Sequence, residues 1–164
     1  TALQMHEVCI DQIQKPTDLF VGSAAVADYR AEFNAPQKIK KVGNTLTLNL
    51  VRNPDIITEV AGSAHRPSLV VGFAAETEQL LEHAEGKRLT KQLDVVIAND
   101  VSQADIGFNS DINGVTWLDD TGHDVMPLTT KQNLAKLLIE RCRQKLSQPE
   151  DQNKHISAPA EDNR

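Results

Sequence analysis

The stretch PSLVVGFAAETEQLLEHAEGKRLTKQLDVVIAND, residues 67–100, decides the fold class. It begins with an apolar run at 67–74 and ends with a second apolar run at 93–98. Neither run alternates with polar residues, a pattern typical of strands buried on both faces of a parallel sheet. The order strand, helix, strand indicates an α/β domain. The charged segment between the runs, 76–92, predicts a helix whose inward-facing residues are Leu80, Leu81, Ala84 and Leu89.

The N-terminal flank extends this pattern. Residues 2–14 carry apolar side chains near helical spacing, and Pro16 ends the predicted helix. Residues 18–26 predict a short central strand, and residues 27–41 predict a loop. Residues 44–51 alternate between polar and apolar side chains, which predicts a half-exposed strand.

The remaining elements complete an α/β architecture. A short helix is predicted at 55–61, with Asn53 as its N-cap and Pro54 as its first helical position. Residues 114–128 predict a hairpin at the sheet edge. The sequence therefore predicts a Rossmann-like, mainly parallel sheet flanked by helices. A final amphipathic helix at 131–146 is predicted to bury Leu134, Leu137, Leu138 and Cys142.

Composition limits the class of protein. With 164 residues and a net charge of −6, we expect one domain over 1–146 and a disordered polar tail over 147–164. The acidic balance argues against a general nucleic-acid binder, which needs a basic face. No stretch approaches the ~20 apolar residues that span a membrane, and no signal-peptide pattern is visible, so a cytoplasmic protein is expected. Cys9 and Cys142 are far apart and are predicted to be free thiols.

Small or polar residues follow each of the three predicted buried strands. Ligands of parallel α/β sheets bind at the carboxyl ends of the strands, so these residues predict a ligand crevice. Small residues let a ligand approach the backbone, and an acid can hold a metal or a ribose hydroxyl. The residues are Gly22, Ser23, Ala24 and Asp28 after the first strand, Gly72, Phe73 and Glu76 after the second, and Asn99 and Asp100 after the third.

Lysines supply the second part of the predicted site. Lys38, Lys40 and Lys41 fall within four positions of one loop. Lys87 and Lys91 lie four apart, on one face of the predicted helix. Such lysines can neutralise phosphates, and together with the small residues they indicate a nucleotide-polyphosphate site. Each group of lysines also fits a solvated surface, and the residues alone leave both interpretations open.

Two further features allow two interpretations each. The helix start at 53–56 either offers backbone N–H groups to an anion or is simply well capped. Phe73 either stacks on a base or belongs to the core. The five histidines are scattered, with no cysteine or acid at metal-ligand spacing, and no hydrolase elbow, Walker loop or dinucleotide motif is present. Hydrolase-triad and NAD-binding functions therefore have no support in the sequence.

Six blocks, in order and spacing, resemble phosphopantothenoylcysteine synthetase (phosphopantothenate–cysteine ligase), one half of the bacterial bifunctional coenzyme A biosynthesis flavoproteins. The resemblance covers residues 1–146. It implies a CTP-dependent ligase that uses Mg²⁺, forms a homodimer and is normally fused to a flavin-dependent decarboxylase. The blocks are GSAAVADYR (22–30), APQKIKK (35–41), LVRNPDI (50–56), RPSLVVGFAAET (66–77), KRLTKQLDVVIANDVS (87–102) and IGFNSDINGV (106–115).

The resemblance also implies a reaction. The carboxylate of 4′-phosphopantothenate attacks the α-phosphate of CTP, pyrophosphate leaves, and the amine of L-cysteine captures the acyl-cytidylate and releases CMP. Lys38 matches a lysine associated with turnover of the acyl-cytidylate, which makes it the implied catalytic residue. Asp28 matches the nucleotide-contacting acid and is the candidate metal ligand. The positions to which the resemblance assigns nucleotide binding are Gly22, Ser23, Ala24, Asp28, Lys38, Pro54, Asp55, Ile56, Ile57, Phe73, Lys87 and Lys91.

The family's synthetase domain begins earlier, with a glycine-rich strand and loop that would precede Thr1. Without that strand we expect an exposed sheet edge, and without the flavin-binding half we expect no FMN site in these residues. The alternative function is a non-catalytic nucleotide-binding or dimerisation fragment of the same enzyme. The polar loop at 34–44 is predicted to be a mobile lid beside the phosphates.

Overall fold

A computed structural model of the chain describes residues 1–40, 43–76, 79–100 and 110–148. Helices and strands alternate along the described residues. In chain order they are α1 (Ala2–Gln12), β1 (Leu19–Gly22), β2 (Tyr29–Ala31), β3 (Leu50–Arg52), α2 (Ile56–Ala61), β4 (Leu69–Glu76), α3 (Leu80–Thr90), β5 (Val95–Asp100), β6 (Ile112–Asn113), β7 (Thr116–Asp119), β8 (Gly122–Val125), β9 (Thr129–Thr130) and α4 (Lys131–Ser147).

Five strands form one sheet in the order β1-β4-β5-β7-β8. β1, β4 and β5 are parallel, with Gly22 opposite Gly72 and Gly72 opposite Val96. β7 pairs antiparallel with β5, and β8 closes a hairpin with β7. The predicted α/β class, with a mainly parallel core and an edge hairpin, is confirmed.

The position predicted for the first strand is wrong. β1 lies at an edge of the five-stranded sheet rather than at its centre. Phe20 packs against the hydrophobic cluster on one face of the sheet, and Leu19 packs against the cluster on the other face. Both faces of β1 are therefore covered, which explains its continuous apolar run without a neighbouring strand on each side.

The core consists of two clusters, one on each face of the sheet. The cluster beneath α1, α2 and α3 includes Val60, Val70 and Val96, all essentially inaccessible to solvent. The cluster beneath α4 contains Trp117 and Leu134. Burying an aliphatic side chain of this size contributes about 1.5–3 kcal/mol. The sheet is therefore packed on both faces, and this packing holds the carboxyl ends of its strands in place.

Two glycines set how closely α2 approaches the sheet. A Cβ atom on Gly22 would lie 2.8 Å from Cδ1 of Ile57. A Cβ atom on Gly72 would lie 2.7 Å from Cδ1 of Leu93 and 3.1 Å from Cδ1 of Ile57. Real Cβ atoms do not tolerate such distances, so the absence of a side chain lets these residues pack directly on the strands.

The segment between β1 and α2 differs from its prediction. The loop predicted at 27–41 contains the strand β2, which pairs antiparallel with β3 in a separate two-stranded sheet. The strand predicted at 44–51 is wrong for most of its length, because β3 begins only at Leu50. The alternating leucines of this segment face solvent, so no core fixes the backbone there. They are Leu46, Leu48 and Leu50, with exposed fractions of 68%, 62% and 58%.

Helix boundaries and faces also need correction. Asp55, not Asn53, is the N-cap of α2, and Pro54 therefore precedes the cap instead of opening the helix. In α3, Ala84 is buried, whereas Leu81 and Leu89 are exposed, because the helix presents only a narrow face to the sheet. In α4 the buried stripe is Leu134, Leu138 and Cys142; Leu137 lies off that stripe and is exposed.

Candidate functional site

A cavity of about 680 Å³ opens at the carboxyl ends of β1 and β4. Its floor is formed by Gly22, Gly72 and Ile57, which pack closely together. Eleven of the twelve residues predicted to bind nucleotide line this cavity, and Lys38 is the exception. The eleven are Gly22, Ser23, Ala24, Asp28, Pro54, Asp55, Ile56, Ile57, Phe73, Lys87 and Lys91.

The first wall is the chain that leaves β1. Ser23 and Ala24 are exposed residues with small side chains, which let a ligand come close to the backbone. Asp28 lies a few residues further along, with an exposed side chain that also faces the cavity. This wall can offer backbone hydrogen bonds and one carboxylate.

Asn53 holds that wall in place, a role that the sequence analysis missed. Its Nδ2 donates to the carbonyl oxygen of Ala27 at 2.7 Å, and its backbone N–H donates to the carbonyl oxygen of Asp28 at 2.7 Å. Its Oδ1 accepts from Nη1 of Arg30 at 3.2 Å. The side chain is only 8% exposed, and these contacts satisfy it. An asparagine before a proline suggests a helix cap, so this bracing role could not be inferred from the sequence.

The second wall begins at the start of α2. The Asp55 carboxylate accepts a hydrogen bond from the backbone N–H of Thr58 at 3.3 Å and forms an ion pair with Nζ of Lys91 at 2.8 Å. Burial alone would raise the pKa of Asp55, but the hydrogen bonds from Lys91 and Thr58 outweigh it and lower that pKa. The helix start is therefore capped by its own carboxylate, and the binding of an anion by its backbone N–H groups stays a prediction.

Lys91 and Lys87 give this wall its positive charge. Both residues line the cavity, one turn apart near the end of α3. Nζ of Lys91 is paired with Asp55, and the two lysines place cationic groups where an anion in the cavity could reach them. The lysine pair predicted from helical spacing thus faces the cavity that the strand ends also line.

Phe73 projects from β4 with 41% of its surface exposed. It does not belong to either core cluster. Of its two predicted alternatives, burial in the core is wrong. An exposed ring beside a cavity remains available to stack on a planar or apolar group.

Asn99 also lines the cavity, at the carboxyl end of β5 opposite Ala75. Its Oδ1 is buried, and the described part of the chain offers it no hydrogen-bond partner. The sequence analysis marked this position only because it follows a buried strand. Its lack of a partner depends on the packing around it and could not be inferred from the sequence.

The loop that carries Lys38 stands apart from the cavity. Lys38 and Lys40 are exposed, and neither lines the cavity. Lys41 and Val42, within the predicted lid, lie outside the described residues, as do the side chains of Glu76 and Asp100. The catalytic role of Lys38 and the mobility of the lid therefore stay predictions.

Three further observations limit the chemistry. Over the described ranges, no group of three or more His, Cys, Asp or Glu side chains could hold a metal ion. Cys9 and Cys142 are free, and burial raises the pKa of both thiols. None of the described helices is both long and apolar enough to cross a bilayer.

The parallel strands, with a crevice at their carboxyl ends that two lysines line, define a Rossmann-like α/β domain with a candidate ligand site. Comparison with known proteins gives the family. The DNA/pantothenate metabolism flavoprotein C-terminal domain matches residues 1–146, and the chain belongs to this family.

The relatives include the coenzyme A biosynthesis bifunctional protein CoaBC of Escherichia coli K12, 48% identical over 144 residues. That match covers 85% of this chain and 35% of the relative. The corresponding Vibrio cholerae protein is 39% identical over 148 residues, covering 89% of this chain and 37% of its own length. The chain thus spans about a third of the length of the curated relatives it matches.

A solved structure of the C-terminal domain of a CoaBC protein superimposes with a TM-score of 0.69 at 28% identity. The superposition covers 89% of this chain and 63% of that one. The resemblance inferred from the six sequence blocks is confirmed, including its restriction to the C-terminal part of the relatives.

Proposed function

We propose that this chain is the CTP-binding synthetase part of a phosphopantothenate–cysteine ligase that acts in coenzyme A biosynthesis. One observation carries the proposal. Eleven residues from four separate stretches, selected by family resemblance, meet around one cavity in a domain of that family. These residues are distant in sequence, and a shared role in binding one ligand explains why they lie around the same cavity.

The proposed reaction proceeds in two steps. A carboxylate oxygen of 4′-phosphopantothenate attacks the α-phosphorus of CTP, and the bond to the β-phosphate oxygen breaks to release pyrophosphate. The amine of L-cysteine then attacks the acyl carbon of the mixed anhydride, loses a proton and expels CMP. The protein must neutralise the triphosphate and align three substrates.

The residues of the cavity fit those tasks. We assign Lys87 and Lys91 to the polyphosphate, because both lysines line the cavity and lysine side chains can neutralise phosphate. The backbone at Ser23 and Ala24 recognises the base, and the exposed ring of Phe73 packs against the nucleotide. This proposal includes a preference for cytosine that arises from backbone contacts near Ala24.

Magnesium fits the site as a companion of the nucleotide. Mg²⁺ is commonly bound by one or two carboxylates together with substrate phosphates, and the exposed carboxylate of Asp28 supplies the protein's share. When bound, the ion would neutralise charge on the triphosphate. The described residues lack a set of ligands that would hold it without the nucleotide.

Homodimer formation is the second part of the proposal. The segment from β2 to β3 exposes large apolar side chains, including Phe33 at 74% and Leu46 at 68%. Several large exposed apolar side chains within one segment are what an interaction surface would supply. We expect light scattering to give twice the chain mass, and Leu46→Ser with Leu48→Ser to shift it toward the monomer. The alternative function, a non-catalytic nucleotide-binding or dimerisation module, shares this surface.

We further propose a cytoplasmic setting, fusion to a flavin-dependent decarboxylase as in the family, no FMN site within this segment, and no nucleic-acid or membrane partner. Titration calorimetry of the chain with CTP and Mg²⁺, with ATP as the control nucleotide, tests the binding part. Selective binding of CTP supports the proposal, and a folded sample that binds neither nucleotide contradicts it. Release of pyrophosphate from CTP in the presence of 4′-phosphopantothenate separates the ligase from the non-catalytic module.

Lys38 gives a test of the chemistry itself. It lies outside the cavity of its own chain, so in this proposal it acts after the loop closes or in the crevice of the second protomer. Lys38→Gln in the intact enzyme should lower turnover far more than CTP affinity. Loss of both to the same degree would argue that Lys38 only binds nucleotide. Lys40→Gln is the matched control, since Lys40 is exposed on the same loop.

A further inference from the structure

An ion pair joins two helices at the wall of the cavity. Nζ of Lys91, the residue that follows α3, lies 2.8 Å from Oδ2 of Asp55, the N-cap of α2. Both residues line the cavity. The side chains of Lys91 and Asp55 keep 33% and 48% of their surface exposed, and pairs as exposed as this contribute little to stability. Stability is therefore not a sufficient reason for a charged pair at this point of the wall.

The cap of α2 does not require the charge either. Asp55 accepts a hydrogen bond from the backbone N–H of Thr58 at 3.3 Å. Asparagine and serine cap helices about as well as aspartate does, and neither is charged. Burial alone would raise the pKa of Asp55, but hydrogen bonds from Lys91 and Thr58 lower it, so the carboxylate is ionised at neutral pH. A negative charge beside Lys91 is what aspartate alone supplies.

The position of this carboxylate matters for any phosphate that enters the cavity. The charged side chains that line it, among the described residues, are Arg52, Lys87, Lys91, Asp28 and Asp55. A phosphate oxygen bound to Lys91 would lie ~2.8 Å from Nζ. Since Oδ2 of Asp55 is equally close to that nitrogen, the two oxygens would be at most roughly 6 Å apart. A phosphate must therefore displace the carboxylate from Lys91 or stay within its repulsion.

We propose that the Asp55 carboxylate is an exchangeable counterion of Lys91. It holds the ammonium group while the cavity is empty, yields it to an incoming phosphate, and limits how tightly a phosphate-bearing ligand is held. This inference rests on the proposed function, because it concerns the same cavity and the phosphate groups of its ligands. In the proposed reaction, the return of the carboxylate to Lys91 favours the departure of pyrophosphate.

Asp55→Asn tests this role, since it removes the charge and keeps a residue that caps helices well. We expect the melting temperature to change little. Affinity for CTP, measured by calorimetry at low salt without Mg²⁺, should rise about five- to tenfold, the effect of removing one unit charge a few ångströms from another in water. Affinity for cytidine, which has no phosphate, should stay the same. In about 1 M NaCl the gain should largely disappear, because salt screens exposed charges.

Glu59→Gln is the matched control. Glu59 lies in the first turn of the same helix and does not line the cavity. Its Oε2 is 2.6 Å from Nε2 of His6, so the substitution removes a negative charge from α2 and leaves the pair of Lys91 with Asp55 in place. CTP affinity should change by less than about twofold. A gain equal to that of Asp55→Asn would overturn the inference, because it would show a general effect of net charge.

The remaining outcomes separate the counterion from other roles. Weaker CTP binding by Asp55→Asn would overturn the inference and make the carboxylate a ligand of the nucleotide. An unchanged affinity would overturn it as well. Failure of both proteins to bind CTP would contradict the proposed function, and titration with inorganic tripolyphosphate then decides the inference by itself. Tighter binding of that polyanion by Asp55→Asn supports the counterion, whereas equal affinity or no binding contradicts it.

Discussion

The hairpin side of the sheet and the crevice differ in whether their polar side chains find partners within the described chain. On the hairpin side, Nζ of Lys145 bonds to Asp119 at 3.1 Å and to Asp120 at 3.0 Å, and Nη1 of Arg141 bonds to Asp124 at 2.6 Å. In the crevice, Oδ1 of Asn99 is buried without a described partner, and the pair of Lys91 with Asp55 lies beside an open cavity. A region that only holds the fold together satisfies its polar groups internally, whereas a region that binds leaves some for the ligand.

The hairpin network has one centre, the indole of Trp117. Nε1 of Trp117 donates to Oδ2 of Asp119 at 3.0 Å, and the guanidinium of Arg141 stacks 4.8 Å from the ring centre. The ring is only 1% exposed within the cluster beneath α4. Arg141 ties the ring to α4, and Lys145 of α4 bonds to the same Asp119 carboxylate, so these contacts stabilise the packing of the hairpin on α4.

The largest effect in this comparison is therefore expected for Trp117→Ala. The substitution removes a fully buried aromatic side chain and should lower the free energy of unfolding by about 3–5 kcal/mol. Urea denaturation followed by circular dichroism measures this loss. If the variant is soluble and folded, CTP should bind with little change. A variant as stable as the unsubstituted chain would contradict the account of the core.

The two aspartate-bound lysines sharpen the comparison. Lys91→Gln should reduce CTP affinity about 10- to 100-fold, the range for loss of one charged hydrogen bond, while stability changes by less than ~1 kcal/mol. Lys145→Gln should do the reverse, with a stability loss of about 1–2 kcal/mol and unchanged CTP affinity. Calorimetry with CTP and urea denaturation of both variants measure the two quantities, CTP affinity and the free energy of unfolding. Two variants with the same profile would refute the division between the ends of the sheet.

A change of one methyl group probes the floor of the crevice. Gly72→Ala places a Cβ atom 2.7 Å from Leu93, so that leucine must move. We expect a stability loss of about 1–3 kcal/mol from overpacking, together with weaker CTP binding because the floor rises. Gly86→Ala is the control, since nothing lies within 4 Å of that position and alanine favours helix. A neutral Gly72→Ala would mean that the strands and α2 can separate freely.

Parts of the fold and of the candidate site could be predicted from the sequence, and other parts could not. The strands β4 and β5 were predicted because continuous apolar runs have few other uses in a small α/β domain. The strand predicted at 44–51 was wrong because alternating polar and apolar residues are typical of a half-buried strand, but here the alternating leucines are exposed. Asn53 and Asn99 show the limit for sites. The first was predicted to be a cap and the second was predicted only as a polar residue of the crevice, because the surroundings of both side chains depend on packing across the fold.

The smallest expected effect is the pH dependence of the hairpin network. Burial alone would raise the pKa of Asp119, but hydrogen bonds from Thr121, Trp117 and Lys145 outweigh it and hold the pKa far below its ordinary value of 3.8. A carboxylate with a depressed pKa in the folded state contributes stability above the unfolded-state pKa, and this contribution is lost as pH falls through the folded-state value. Asp119→Asn should therefore be less stable than the unsubstituted chain at pH 7, by about 1–2 kcal/mol. The difference between the two proteins should shrink as the pH is lowered below 3.8. Urea unfolding of both proteins at pH 7 and at pH 3 measures this difference, and a gap that stays constant with pH would show that Asp119 stabilises the hairpin without its charge.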